Sequence, residues 1–183
     1  MIITGKFLII IIKNEIFIIM NSNPNKEKSF EEFENSIKKA LINGDITQSL
    51  KIIKQFIQNK EIDKKSLKIK EITKICGKYL SGIKIEGYEG DFPTFIEPVS
   101  LTPGVKIGDT VLLGPTVIIG NSCELEAFVE LSNTILFDNV KLGKLCKLNW
   151  CIVDDNINLP EKYNAKECFI TKNQNGELNV IQL

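Results

Sequence analysis

Histidine is the side chain best suited to proton transfer near neutral pH, and this chain has none among its 183 residues. What is left that could do chemistry is a short set. Five cysteines stand at Cys76, Cys123, Cys146, Cys151 and Cys168, with no CxxC pair among them, so a structural zinc is not expected. An odd cysteine count without a secretory cleavage signal fits a reducing compartment, and the expected location is cytoplasmic. Asp154 and Asp155 are adjacent carboxylates that could be read as metal ligands or an acid/base pair. Successive residues on a strand point to opposite faces, so a corner of the chain is the better account of them. Phe128, Phe137 and Trp150 could stack on a nucleotide or form a contact surface, and the contact surface is favoured. Asp138 and Asn139 are read as turn formers. No residue is assigned a catalytic, cofactor-binding or metal role, and no cofactor is expected.

The elements that would position these residues announce themselves by an unusual period. Every sixth residue over one stretch is aliphatic: Leu101, Ile107, Leu113, Ile119, Leu125 and Leu131. Four places after each stands Val105, Val111, Val117, Cys123, Val129 or Ile135. A helix of 3.6 residues per turn would scatter these positions, and a period-2 strand would need more alternation than the sequence offers. A repeat of six is the signature of a parallel β-helix, in which short strands wind around one apolar core. The rhythm continues with a slip to Leu136, Leu142 and Leu148, partnered by Val140, Cys146 and Ile152. A second slip leads to Val153, Ile157 and Leu159, so the repeat runs from about Phe95 to about Leu159. Gly108, Gly114, Gly120 and Gly143 follow the aliphatic directly and are read as corner residues, where the chain turns sharply.

The text PVSLTPGVKIGDTVLLGPTVIIGNSCEL (Pro98 to Leu125) and NTILFDNVKLGKLCKLNWCIVDDNINLP (Asn133 to Pro160) resembles the left-handed β-helix domain that follows the catalytic domain in sugar-1-phosphate nucleotidyltransferases. Mannose-1-phosphate guanylyltransferases and ADP-glucose pyrophosphorylases belong to that group. The resemblance implies a left-handed coil of three six-residue units per turn. Its IGD, LGP and IG motifs specify the fold, while ILFDNVKLG, CIVDDN and LP favour the nucleotidyltransferase branch. The expected fold class is mainly β: a left-handed parallel β-helix of three to four coils, a hexapeptide-repeat solenoid, with a small N-terminal α-helical region and a C-terminal β-hairpin.

Residues 1–28 read as a leader that is disordered or an upstream mistranslation. Within it, MIITGKFLIIIIKNEIFIIM has two apolar runs split by Lys13, Asn14 and Glu15, each too short to span a bilayer. A start at Met20, a β-prone strand or hairpin, and a weak membrane anchor are the three accounts of it. Residues 29–82 form the helical region. Ser29 with Glu32 fits a capping box ahead of an apolar face of Phe30, Phe33, Ile37, Ala40 and Leu41, and Gly44 ends that helix. Asp45 with Gln48 caps a second helix with the face Ile46, Leu50, Ile53 and Ile57. A third runs from Asp63 or Ser66 to Leu80 and buries Leu67, Ile72, Ile75, Cys76 and Tyr79. Three helices joined by short loops make a small helical domain or a cover for the β-helix; its role is either that of a protein-interaction unit or, the favoured account, a cap over the open edge of the first coil. Residues 83–183 form the β-helix with its terminal hairpin. Within them the glycine-bearing stretch from Gly82 to Pro98 is read as a linker, and Cys168–Lys172 with Glu177–Leu183, around NQNG, as the hairpin.

Charge and size narrow the function. Lysine plus arginine and aspartate plus glutamate balance at 23 each, which does not suggest a nucleic-acid binder, and no membrane partner is expected. Nothing before the repeat resembles the glycine-rich loop of the nucleotidyltransferase catalytic domain. The resemblance therefore implies a non-catalytic module for oligomerisation, scaffolding or regulation, as a homo-oligomer or with a nucleotidyltransferase-type partner chain. The alternative is a hexapeptide-repeat acyltransferase acting on a sugar or sugar nucleotide. That family typically relies on a histidine base, and this chain would need a substitute for it.

Overall fold

The computed structural model describes residues 2–4, 7–12, 15–20, 24–58 and 69–182. The chain divides into two compact units, Met1–Asn35 and Ser36–Leu183. In the first, strands β1 (Ile2–Thr4), β2 (Phe7–Ile12) and β3 (Glu15–Met20) form an antiparallel sheet in that order. Helix α1 (Pro24–Ile42) crosses from the first unit into the second. It starts before the expected Ser29 cap, because a proline fits the first helical turn, where its missing N–H costs nothing.

In the second unit the end of α1 runs into Gly44, whose φ of +75° lets the chain reverse while its N–H donates to the Leu41 carbonyl at 3.1 Å. Asp45 then caps α2 (Ile46–Gln58), accepting from the Gln48 N–H at 2.8 Å. The expected apolar faces are the buried ones: Ile46, Leu50, Ile53 and Ile57 on α2, and Ile72, Ile75 and Cys76 on α3 (Ile69–Tyr79). The expected start of α3 at Asp63 or Ser66, and Leu67, lie outside the described residues. Tyr79 is half-buried, with the Lys38 ammonium 5.5 Å from its ring centroid.

Residues from Ile83 onward form a β-solenoid with three parallel faces. The first face stacks β4 (Ile83–Ile85), β7 (Val99–Leu101), β10 (Val117–Ile119), β13 (Thr134–Leu136) and the ends of β15 (Lys147–Val153) and β17 (Asn164–Lys172). The second stacks β5 (Tyr88–Gly90), β8 (Val105–Ile107), β11 (Glu124–Leu125), β14 (Lys141–Leu142) and β16 (Asn158–Leu159). The third stacks β6 (Thr94–Phe95), β9 (Leu112–Leu113), β12 (Glu130–Ser132) and the beginnings of β15 and β17. One strand of the second face per turn gives about five turns, more than the three to four expected. The stretch read as a linker is itself the first turn. Its residues escape the spacing because Gly90 occupies the register position that Ile107 fills one turn later. The C-terminal hairpin forms as expected, with β18 (Leu178–Gln182) antiparallel to β17.

The slip in the repeat changes which residues face inward. Val117 pairs with Thr134 and Ile118 with Ile135, so after the lost residue Thr134 takes the inward position and Ile135 points outward. Ile152 follows Ile135 outward and Cys151 replaces it in the core. Both isoleucines were expected inside. Thr134 is accommodated there because its hydroxyl donates to the Ser132 and Leu148 carbonyls at 2.8 and 3.2 Å.

Outward yet buried, the row Ser100, Ile118, Ile135, Ile152 and Phe169 explains where the helices go. Helix α3 contacts β15 and β17, and Lys70 on α3 pairs with Glu167 at 2.7 Å. Lys84 of the first turn donates to the Leu41 carbonyl at 3.4 Å. The helices thus cover the first face of the solenoid along its length. They lie as a cover along that face and not as a cap over the first coil, because the face carries a second, outward-pointing apolar row that had to leave water.

Of the four corner glycines, Gly114 has the left-handed backbone expected of it (φ 121°), whereas Gly108, Gly120 and Gly143 do not. At many corners that backbone is taken by non-glycine residues such as Thr116 (φ 56°), Asn133 (47°), Trp150 (54°) and Glu167 (56°). At Gly120 the constraint is space: a Cβ there would lie 2.8 Å from the Phe137 carbonyl carbon and 2.6 Å from Asp138 Oδ1 in the next turn. Gly120→Ala is expected to destabilise the protein by about 1–3 kcal/mol through overpacking. The check is a lowered denaturant midpoint at unchanged slope.

Candidate functional site

Among the described residues of the second unit, two clefts bring polar side chains together. The first, about 230 Å³, runs between α2 and one corner of the solenoid and is lined by Lys51, Lys54, Asn121, Phe137, Asp138 and Asp155. Its carboxylates come from a corner column in which each turn ties down the one before. The Asn121 N–H and side-chain amide donate to Asp138 Oδ1 at 2.7 and 3.0 Å, and the Asp138 N–H donates to Asp155 Oδ1 at 3.1 Å. Asp155 Oδ2 is ion-paired with Lys54, whose ammonium also sits 5.9 Å from the Phe137 ring centroid. Asp154 accepts from the Thr171 hydroxyl at 2.8 Å and from the Asp155 N–H at 3.0 Å. Asp154 and Asp155 therefore stand at a corner, with their oxygens engaged in holding turns and helix together. Phe137 lies beneath the helical layer, whereas Phe128 is exposed and Trp150 half-buried at other corners.

The second cleft, about 320 Å³, lies on the third face, where Gly114, Ser132 and Asn149 leave a trough flanked by Glu130, Lys147 and Lys166. Lys147 pairs with Glu130 at 2.8 Å, and the Asn149 amide donates to the Ser132 hydroxyl at 2.8 Å. The Asn149 side-chain oxygen Oδ1 is buried without a hydrogen-bond partner. Sequence reasoning missed this residue, since only the register of β12 and β15 shows that Asn149 stacks on Ser132.

All five cysteines are buried free thiols. Burial pushes the Cys76 and Cys123 thiols up to about 12 and raises Cys146 as well. Cys123 donates to the Phe137 carbonyl at 3.0 Å, and Cys151 and Cys168 stack in the core with their sulfurs 3.6 Å apart. Held protonated and away from solvent, Cys76, Cys123 and Cys146 are poor nucleophiles. They are expected to react with an aromatic disulfide reagent only after the protein is unfolded, as followed by the absorbance of the released thiolate. Among the described residues no group of three or more histidine, cysteine or acidic side chains could hold a metal ion. No helix among them is long and apolar enough to cross a membrane.

The geometry thus presents a solenoid with one helix-covered face and corner carboxylates committed to its framework. Residues 95–175 match the family model of the GMPPB C-terminal domain. The match begins in β6, at the end of the first turn, and ends in the turn before β18. It falls on the solenoid, which fits a C-terminal β-helix domain of sugar nucleotidyltransferases. No curated protein and no solved structure matches the chain. The helical layer and the first turn up to Thr94 lie before the segment matching the GMPPB C-terminal domain.

Where the helical layer meets that segment, Glu167 is held below the usual 4.5 by the hydrogen bond from Lys70 and the charges of Lys70 and Lys166. A depressed carboxylate contributes stability that is complete above its unfolded value and is lost as pH falls through the folded one. Glu167→Gln is expected to flatten the loss of melting temperature below pH 4.5 and to leave the neutral range nearly unchanged.

Proposed function

We propose that this chain is a non-catalytic β-helix module that assembles with, and regulates, a sugar nucleotidyltransferase-type partner chain in the cytoplasm. The observation that carries the reading is the match of residues 95–175 to the GMPPB C-terminal domain on a solenoid whose corner carboxylates are engaged structurally. In this reading the three faces divide the work. The first binds the helical layer, and the second carries a self-neutralising ladder in which Glu124 pairs with Lys141 at 3.0 Å and Lys106 at 3.9 Å. The third is left for contacts with other chains.

A second reading rests on the trough of the third face, where the buried, unpartnered Asn149 Oδ1 could accept from a bound amide or hydroxyl. It corresponds to the acyltransferase alternative. One panel of melting curves separates the two, with acyl-CoAs, nucleoside triphosphates, sugar phosphates, sugar nucleotides and a purified nucleotidyltransferase chain as additives. A ligand at a hundredfold its Kd adds about 2.7 kcal/mol to a native state that alone binds it. Stabilisation by the nucleotidyltransferase chain with a flat response to acyl-CoA is expected. Stabilisation by an acyl-CoA with turnover would sink the module reading.

A further inference from the structure

We propose that the first turn of the solenoid, Ile83–Pro98, is a docking end for a partner protein that lays an extended segment bearing lysine or arginine among aliphatic residues along its open strand edges. The inference rests on the assembly reading and gives that assembly a surface and a chemistry.

The observations begin with burial. No residue from Ile83 to Pro98 is buried, although their counterparts in the next turn include the fully buried Val99, Leu101, Val105, Val111 and Leu113. Tyr88 and Phe95 reach the end of the core but cover it only in part. Four large apolar side chains stay exposed here: Ile83 at 42%, Ile85 at 37%, Ile96 at 46% and Phe92 at 95%. A phenylalanine left this far in water contributes little to the chain's own stability, and buried aromatics are typical anchors of protein interfaces.

Backbone geometry comes next. β4, β5 and β6 are the terminal strands of their faces, with no strand on their outer side among the described residues. The opposite end is treated differently, since β18 pairs along β17 there. Solenoids need both ends covered, because an open edge is a template for another strand. Among the described residues of the second unit, the helices lie over the first face and leave Ile83, Ile85, Phe92 and Ile96 exposed. An added strand would gain main-chain hydrogen bonds from the edge and specificity from alternate side chains.

Charge then selects the occupant. Glu86, Glu89, Asp91 and Glu97 surround the apolar residues and are exposed, against one lysine, Lys84, which is turned to the Leu41 carbonyl. A second copy docked edge to edge would set carboxylates against carboxylates, and like charges across an interface are costly. A strand with basic residues matches both the apolar surface and its acidic rim.

The test uses the full chain and two labelled octapeptides, one alternating valine with lysine and the other valine with glutamate, followed by fluorescence anisotropy. The lysine peptide is expected to bind at least tenfold more tightly than the glutamate peptide, and less tightly as salt is raised. Phe92→Asp, and separately Glu89→Lys with Asp91→Lys, are each expected to weaken it at least tenfold. These side chains are exposed, so unchanged melting curves verify that the variants fold. Equal binding of the two peptides, or binding that survives the variants, would overturn the proposal. So would a concentration-dependent dimer in sedimentation that Phe92→Asp disperses, because the edge would then belong to a second copy. The two readings fail separately: acyl-CoA turnover removes the non-catalytic role and leaves the docking end standing, while assembly that ignores the Phe92 variant does the reverse.

Discussion

Ile135→Lys is expected to destabilise the protein by about 3–5 kcal/mol, the cost of leaving an unpaired charge in a buried place, with lost packing added to it. Ile135 points away from the solenoid core, and on an isolated β-helix an outward lysine would be harmless. Its counterparts on the second face are in fact Lys106 and Lys141, which sit in water beside Glu124. What separates the faces is the helical layer. Ile118, Ile135 and Ile152 are all fully buried although none belongs to the solenoid core. Lys141→Ala on the second face is the control and should cost less than about 1 kcal/mol, since it removes only an exposed pair. Equilibrium unfolding in urea, followed by helical circular dichroism, measures both. A small effect at Ile135 would mean that the helices do not pack on that face.

Leu136→Ala should cost about 2–5 kcal/mol, whereas Ile85→Ala, in the same core column, should cost less than half as much. The column runs Ile85, Leu101, Ile119, Leu136, Val153 and Ile170 through successive turns. Every member but the first is fully buried, and Ile85 keeps 37% of its surface in water. Deleting methylenes costs transfer free energy plus the cavity they leave, and Ile85 has less of both to lose. The comparison reads the open end directly in denaturant midpoints. If a partner segment covers the first turn, adding it should raise the cost of Ile85→Ala toward that of Leu136→Ala.

The six-residue spacing made the solenoid legible because a stacked coil requires the same aliphatic at the same place in every turn. The cap of α2 and the end of α1 were legible for a similar reason, and Asp45 and Gly44 act where the sequence put them, whereas Ser29, read as a cap, lies inside α1. The inward partners after Leu131 were misread. A one-residue deletion reverses which side of the strand a residue faces, so Ile135 and Ile152 went outside and Thr134 and Cys151 inside. Phe92 and its neighbours were missed as a surface because they carry no aliphatic period, and Asn149 because stacking on Ser132 is a relation between turns.

By itself, then, the sequence determined the parallel β-helix, the helical faces and the terminal hairpin. These are local or periodic properties, written wherever neighbouring residues must satisfy one geometry. Only the tertiary structure decided that the helices lie along a face rather than over an end, and that the corner carboxylates Asp138 and Asp155 line a cleft against α2, with Lys54 paired to Asp155. It also decided that the first turn keeps its edges and its phenylalanine in water. Those outcomes depend on which surfaces compete for burial once the chain has folded, and a linear spacing does not record that competition.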